Sequence, residues 1–249
     1  MAKMIKNVVL TLLLVTLGAS TAFLAYLHFF ASEEGEISGE WTANLDMTKQ
    51  ASVAALGWLQ EIEGVSVSLE DMEAYMQGLT IQVNLTFEQA SRSEGTFYCN
   101  VVPESYDACE QAAYEAFAAA FQNLLAERLH MAGYTGSMDG EAIEELVTET
   151  FGMSTNAYLM SCAPALLPSL EDLQAQYDGS GTYEAAEDIL TRQFDSGSVT
   201  TKAESYIRKG SSLVLSEEIG SVPAGFSSDD YPVIYTLKQS TDGAGREMP

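Results

Sequence analysis

Three hydrophobic patterns alternate along this chain: one unbroken apolar run, stretches of period two and stretches of helical period. The unbroken run goes from Val8 to Phe30 without a charge and follows Lys3 and Lys6. At about 1.5 Å per helical residue it reaches roughly 35 Å, enough to cross a bilayer core of about 30 Å. Residues 1–31 therefore read as a signal-anchor or transmembrane segment, with Tyr26 and His28 placed where an interfacial belt would lie. The alternative is a secretory signal cut near Ala19-Ser20-Thr21-Ala22, which would release the protein. Lys3 and Lys6 before the run, against Glu33, Glu34, Glu36 and Glu40 after it, place the N-terminus inside and the bulk outside the cytoplasm.

Period two dominates next. Residues 32–38 read as an acidic stalk, after which Gly39 to Leu45 predicts a strand with Trp41, Ala43 and Leu45 on one face. Leu79, Ile81, Val83, Leu85 and Phe87 alternate with Thr80, Gln82, Asn84, Thr86 and Glu88, a half-buried strand that turns at Ser91 to Gly95 into a partner over Thr96 to Val102. Between the first two strands, Val53, Leu56, Leu59 and Ile62 fall at helical spacing. A second short helix opens at Ser68-Leu69-Glu70-Asp71, which approximates a capping box, and stops at Gly78.

Helical period takes over at about residues 104–178. Tyr114, Phe117, Phe121, Leu124, Leu125 and Leu129 form one stripe, ended by Gly133. Glu141 to Phe151 predicts a second piece and Thr155 to Gln176 a third, kinked or split by Pro164 and Pro168. Strands resume at Gly181 to Tyr183 and at Ile189 to Phe194. Thr200 to Ile207 then pairs with Ser212 to Ser216 across Arg208 to Ser211, and Tyr231 to Gln239 is last, before a polar tail at 240–249. The sum is about eight strands in a unit over 39–239.

Charge narrows the partners. The part after Ala31 holds all 36 acidic residues and nine of the 11 basic ones, which leaves 27 net negative charges. Nucleic acid and anionic lipid surfaces are disfavoured by that balance. Cys99, Cys109 and Cys162 are an odd number for an oxidising compartment: either Cys99 bridges Cys109 and leaves Cys162 over, or all three are thiols. No cysteine spacing suits zinc.

At Gly39-Glu40-Trp41 the chain resembles the G-x-W signature that opens lipocalins and related calycin barrels. Its closing part is similar to lipocalin-like bacterial envelope domains, in a G-x-Y strand (Gly181, Thr182, Tyr183), a K-G-x-x-L hairpin (Lys209, Gly210, Leu213) and a Y-P-x-x-Y-x-L strand (Tyr231, Pro232, Tyr235, Leu237). The resemblance covers about 100 of the 249 residues. It implies a closed or nearly closed antiparallel lipocalin-like barrel able to hold one small ligand. With about eight strands and the mid-chain helical insertion that the periodicity predicts, the latter a departure from the classical family, the fold expected is α+β. Trp41, Phe87, Phe97, Tyr183, Phe194 and Tyr235 are the aromatics on predicted strands, and they either line such a cavity or fill a barrel core.

Catalytic chemistry finds no foothold. His130 is the one histidine past the membrane segment, at the end of an amphipathic helix where a cation suits the dipole. No carboxylate pair stands out, no phosphate-cradling loop precedes a helix, and Asp139-Gly140 and Asp229-Asp230 lack the spaced oxygen ligands of a calcium loop. No catalytic residue, metal or cofactor is implied. The expectation is a membrane-anchored, extracytoplasmic, non-enzymatic module that binds a small apolar ligand or an envelope component. The alternatives are an interaction subunit with a solid barrel and a cell-surface hydrolase.

Overall fold

Eight strands, β1 (Gly39–Asp46), β2 (Thr80–Gln89), β3 (Glu94–Val101), β4 (Gly179–Ala186), β5 (Ile189–Phe194), β6 (Thr201–Lys209), β7 (Ser212–Glu217) and β8 (Val233–Leu237), each pair antiparallel with the next in sequence. Pairing of Trp41 with Leu237 and of Thr42 with Thr236 closes the barrel. The computed structural model describes residues 37–61, 67–197, 200–217 and 232–238. The strands form where apolar and polar residues alternate. In β2 the apolar set Ile81, Val83, Leu85 and Phe87 is buried, while Gln82, Asn84 and Thr86 face outward. Closure leaves no strand edge to aggregate.

The turns follow local chemistry. Glu187 and Asp188 both take left-handed backbone (φ 51° and 66°) between β4 and β5, a two-residue turn whose twist matches its strands. Gly210, alone at positive φ (59°), and Ser211 make the two-residue turn between β6 and β7, so Arg208 and Lys209, expected in that turn, are the last residues of β6.

Helices α1 (Thr48–Gln60) and α2 (Leu69–Tyr75) lie between β1 and β2; α3 (Pro103–Met131), α4 (Gly140–Phe151), α5 (Thr155–Cys162) and α6 (Leu170–Tyr177) lie between β3 and β4. Helical residues are thus inserted twice, as the two stretches of helical period predict. In α1 the buried stripe is Ala51, Ser52, Ala55 and Leu59; of the expected stripe Leu59 is core and Leu56 half-buried, whereas Val53 is 51% exposed and rotated off the core. Small alanines let α1 approach closely, and close approach outweighs the bulk of Val53. Ile62 lies outside the described residues. Ser68 caps α2 with a full capping box to Asp71.

Along α3 the buried side chains are Tyr106, Cys109, Ala113, Tyr114, Phe117, Ala118 and Ala120. Phe121 and Leu124 pack at the edge of the core, and Leu125 and Leu129 stay half-exposed. The expected stripe is therefore displaced toward the N-terminus of α3. Pro164 and Pro168 do split the third piece, into α5 and α6. The carbonyls of those two prolines accept hydrogen bonds from the Tyr114 and Tyr106 hydroxyls (3.4 and 3.1 Å), which ties the break to α3.

An up-and-down barrel fixes which connections share an end. The three tight hairpins and the start of β1 at Gly39 lie at one end, and both helical insertions leave from the other. Ile37, placed in the expected stalk, is 1% exposed, and its carbonyl accepts from Trp41 Nε1 at 2.8 Å, so it belongs to the barrel. The expected transmembrane run, most of the stalk and the tail lie outside the described residues. Among the described residues no helix is long and apolar enough to cross a membrane.

Candidate functional site in the barrel interior

Inward positions on β5 and β6 do not all carry apolar side chains. Arg192 lies between Leu190 and Phe194 on the inward face of β5, and Lys202 and Glu204 precede Tyr206 on that of β6. Their exposures are 5%, 7% and 1%. Arg192 Nε donates to Glu204 Oε2 at 3.0 Å and Nη2 pairs with the same oxygen, while Lys202 Nζ lies 3.2 Å from Oε1. Register places Arg192 directly opposite Lys202, so the two cations are neighbours across β5 and β6 and one carboxylate serves both.

Aromatic rings complete the surroundings. The Arg192 guanidinium lies 5.5 Å from the Phe97 ring centre and 5.6 Å from that of Phe194, and these rings meet edge to face at 5.0 Å. Burial opposes the charge on Arg192, but Glu204 more than offsets it, and the guanidinium stays protonated more firmly than usual. Burial also pushes the Tyr235 hydroxyl up, so it remains neutral. Gln176 and Tyr177, at the C-terminal end of α6, help line the cluster at the helical end. The cavity this cluster lines has a volume of about 20 Å³, room for about one water.

The six aromatics singled out in the sequence all belong to this interior. Trp41, Phe87, Phe97, Tyr183 and Tyr235 are buried, and Phe194 is half-buried against Phe97. Phe87 meets Tyr183 edge to face at 4.9 Å, and Arg208 stacks 5.9 Å from the Trp41 ring. Arg192, Lys202 and Glu204 do not stand out in the sequence, although parity marks two of them: Arg192 alternates with Leu190 and Phe194, and Glu204 lies two residues before Tyr206, whereas Lys202 joins that face only through Glu204.

Cys99 and Cys109 do not form the bridge that cysteine arithmetic allowed. All three cysteines are free, Cys99 and Cys109 buried and Cys162 exposed. Cys99 sits inside β3 with its thiol 3.4 Å from the Gly179 carbonyl oxygen, whereas Cys109 lies on α3. Burial raises both thiols, Cys109 to about 11. At pH 8 a thiol at the Cys109 value is thiolate in about one molecule in a thousand, and the Cys99 thiol is shifted in the same direction. His130 ends α3 in solvent, and among the described residues no set of three metal-binding side chains comes together. The arrangement of Arg192, Lys202 and Glu204 holds charge in place. No family model, no curated protein and no solved structure matches this chain.

Proposed function

We propose that this chain is a non-enzymatic interaction module held at the outer face of a cell membrane, with a solid barrel as its scaffold and the helical layer as its docking face. The filling of the barrel carries this reading. A pocket for a small apolar ligand takes about 300 Å³ or more, and the cavity lined by Arg192, Lys202 and Glu204 offers about 20 Å³. An apolar molecule in that place would desolvate them without replacing their hydrogen bonds.

Topology and charge support the docking face. The membrane segment would join the barrel at Gly39, at the hairpin end, so the helices stand at the far end from the bilayer. Described residues 47–61, 67–78 and 102–178 carry 17 acidic and two basic side chains. A surface so charged repels anionic lipid and steers cationic partners toward itself.

Two measurements test the reading. Native mass spectrometry of the full-length protein, purified gently from its source, is expected to give the mass of the bare chain; a discrete small molecule released on denaturation would restore the ligand cup. For sidedness, a membrane-impermeant maleimide on intact cells is expected to label a single thiol and to lose that label in Cys162→Ser. Labelling that appears only after lysis would place the bulk of the chain inside and remove the anchor from the proposal.

A further inference from the structure

The outer wall of the barrel differs between its two halves. On β1 to β4 the outward positions include five carboxylates, Glu40, Asp46, Glu88, Glu94 and Glu184. On β5 to β8 there are 13 outward positions, and only Lys209, at the hairpin end, is charged. Across the middle of this neutral half runs a row set by register: Ile207 opposite Val214, and Val214 opposite Ile234. Ile207 is 66% exposed and Ile234 59%, with Val214 half-buried between them, so an apolar ridge spans three strands and meets solvent at both its flanks. Ser205 and Ser216 face each other on one side of the ridge, Ser212 and Thr236 on the other.

We propose that this wall is a homodimer interface, packing face to face on the same wall of a second copy. Charge selects the occupant. Two chains that each carry a net charge of −25 repel wherever their carboxylates meet, and the neutral half is the part of the barrel wall where copies approach without that cost. The ridge is also self-complementary: a two-fold axis through Val214 sets Ile207 of one copy against Ile234 of the other, as an isologous contact requires. Sheet faces pack in this way about 10 Å apart.

Area sets the strength. Four strands about 4.8 Å apart and about 20 Å long offer roughly 400 Å² per copy, or about 800 Å² in all, below the roughly 1,200 Å² of a stable interface. The contact is therefore weak for free molecules and favoured when a membrane confines both copies. The wall runs along the barrel, so the two-fold axis lies along the membrane normal and Gly39 of each copy faces the same side. The membrane confinement and this orientation both rest on the proposed anchor; the intact-cell labelling tests the anchor separately.

The test is crosslinking of the full chain in its own membranes, in a Cys162→Ser background, with a short bis-maleimide. Val214→Cys is expected to give a dimer of twice the chain mass, at least tenfold more than Thr182→Cys on the opposite wall. Adding Ile207→Lys and Ile234→Lys should lower that yield at least tenfold. Membranes holding Ile207→Cys and Ile234→Cys chains together should crosslink more than either alone, a readout independent of Val214. Equal yields from Thr182→Cys and Val214→Cys, no product from the Val214 and Ile207/Ile234 reporters, or a product containing another protein would each overturn the proposal.

Discussion

Glu204→Gln is expected to destabilise the fold by about 3–5 kcal/mol, the range for removing one partner of a buried ion pair. The size follows from what remains. Glu204 is 1% exposed and is the carboxylate shared by Arg192 and Lys202, both nearly as buried. A neutral amide cannot supply the counter-charge, and neither cation reaches water without opening the barrel. A second variant separates charge from packing. Replacing the whole cluster, with Arg192→Met, Lys202→Met and Glu204→Leu together, should be close to neutral or should stabilise by about 1–4 kcal/mol, because desolvation of the ions disappears with them. Urea unfolding of both variants, followed by tryptophan emission, reads the contrast. A loss below about 1 kcal/mol for Glu204→Gln would show that the cluster is hydrated and that the interior is more open than its geometry implies.

The same cluster marks the boundary between what the chain reveals in one dimension and what it does not. Strands such as β2 are legible because their apolar residues alternate without exception, and the capping box at Ser68 is legible because it is local. Helix faces are harder. Val53 and Leu56 look like core on size alone, yet α1 buries Ala51 and Ala55, since close approach to its neighbours rather than bulk decides the face. In α3 the expected stripe runs toward Leu129, but the helix continues past the layer it packs on, so its last turns are half-exposed. A three-dimensional limit also hides the ion cluster. Parity alone predicts that Arg192, Lys202 and Glu204 point inward, but that they converge requires β5 and β6 to pair in the register that sets Arg192 against Lys202. The neutral wall is of the same kind: Ile207, Val214 and Ile234 lie on three separate strands, and only the register aligns them.

Gly181→Ala is expected to cost about 3 kcal/mol or more, at the upper end for overpacked positions. Gly181 opens the G-x-Y signature on β4 and pairs with Phe194 on β5. A methyl group there would sit on top of the Gln193 carbonyl oxygen and 3.1 Å from the Phe194 Cα. Those obstacles are main chain, so no side-chain rotation relieves them and β4 must move away from β5. The movement reaches the interior quickly, since Phe194 carries the edge contact with Phe97 and lies over Arg192. Gly57 supplies the control. It lies inside α1 with open space where a Cβ would go, so Gly57→Ala should stabilise by roughly 0.5–1 kcal/mol through helix propensity and unfolded-state entropy. The two substitutions add the same methyl group, so opposite signs in thermal or urea unfolding isolate the backbone contact at Gly181 as the cause. A Gly181→Ala variant as stable as the parent would mean that β4 and β5 are not packed as closely as this barrel requires, and that its glycine signature serves some purpose other than strand approach.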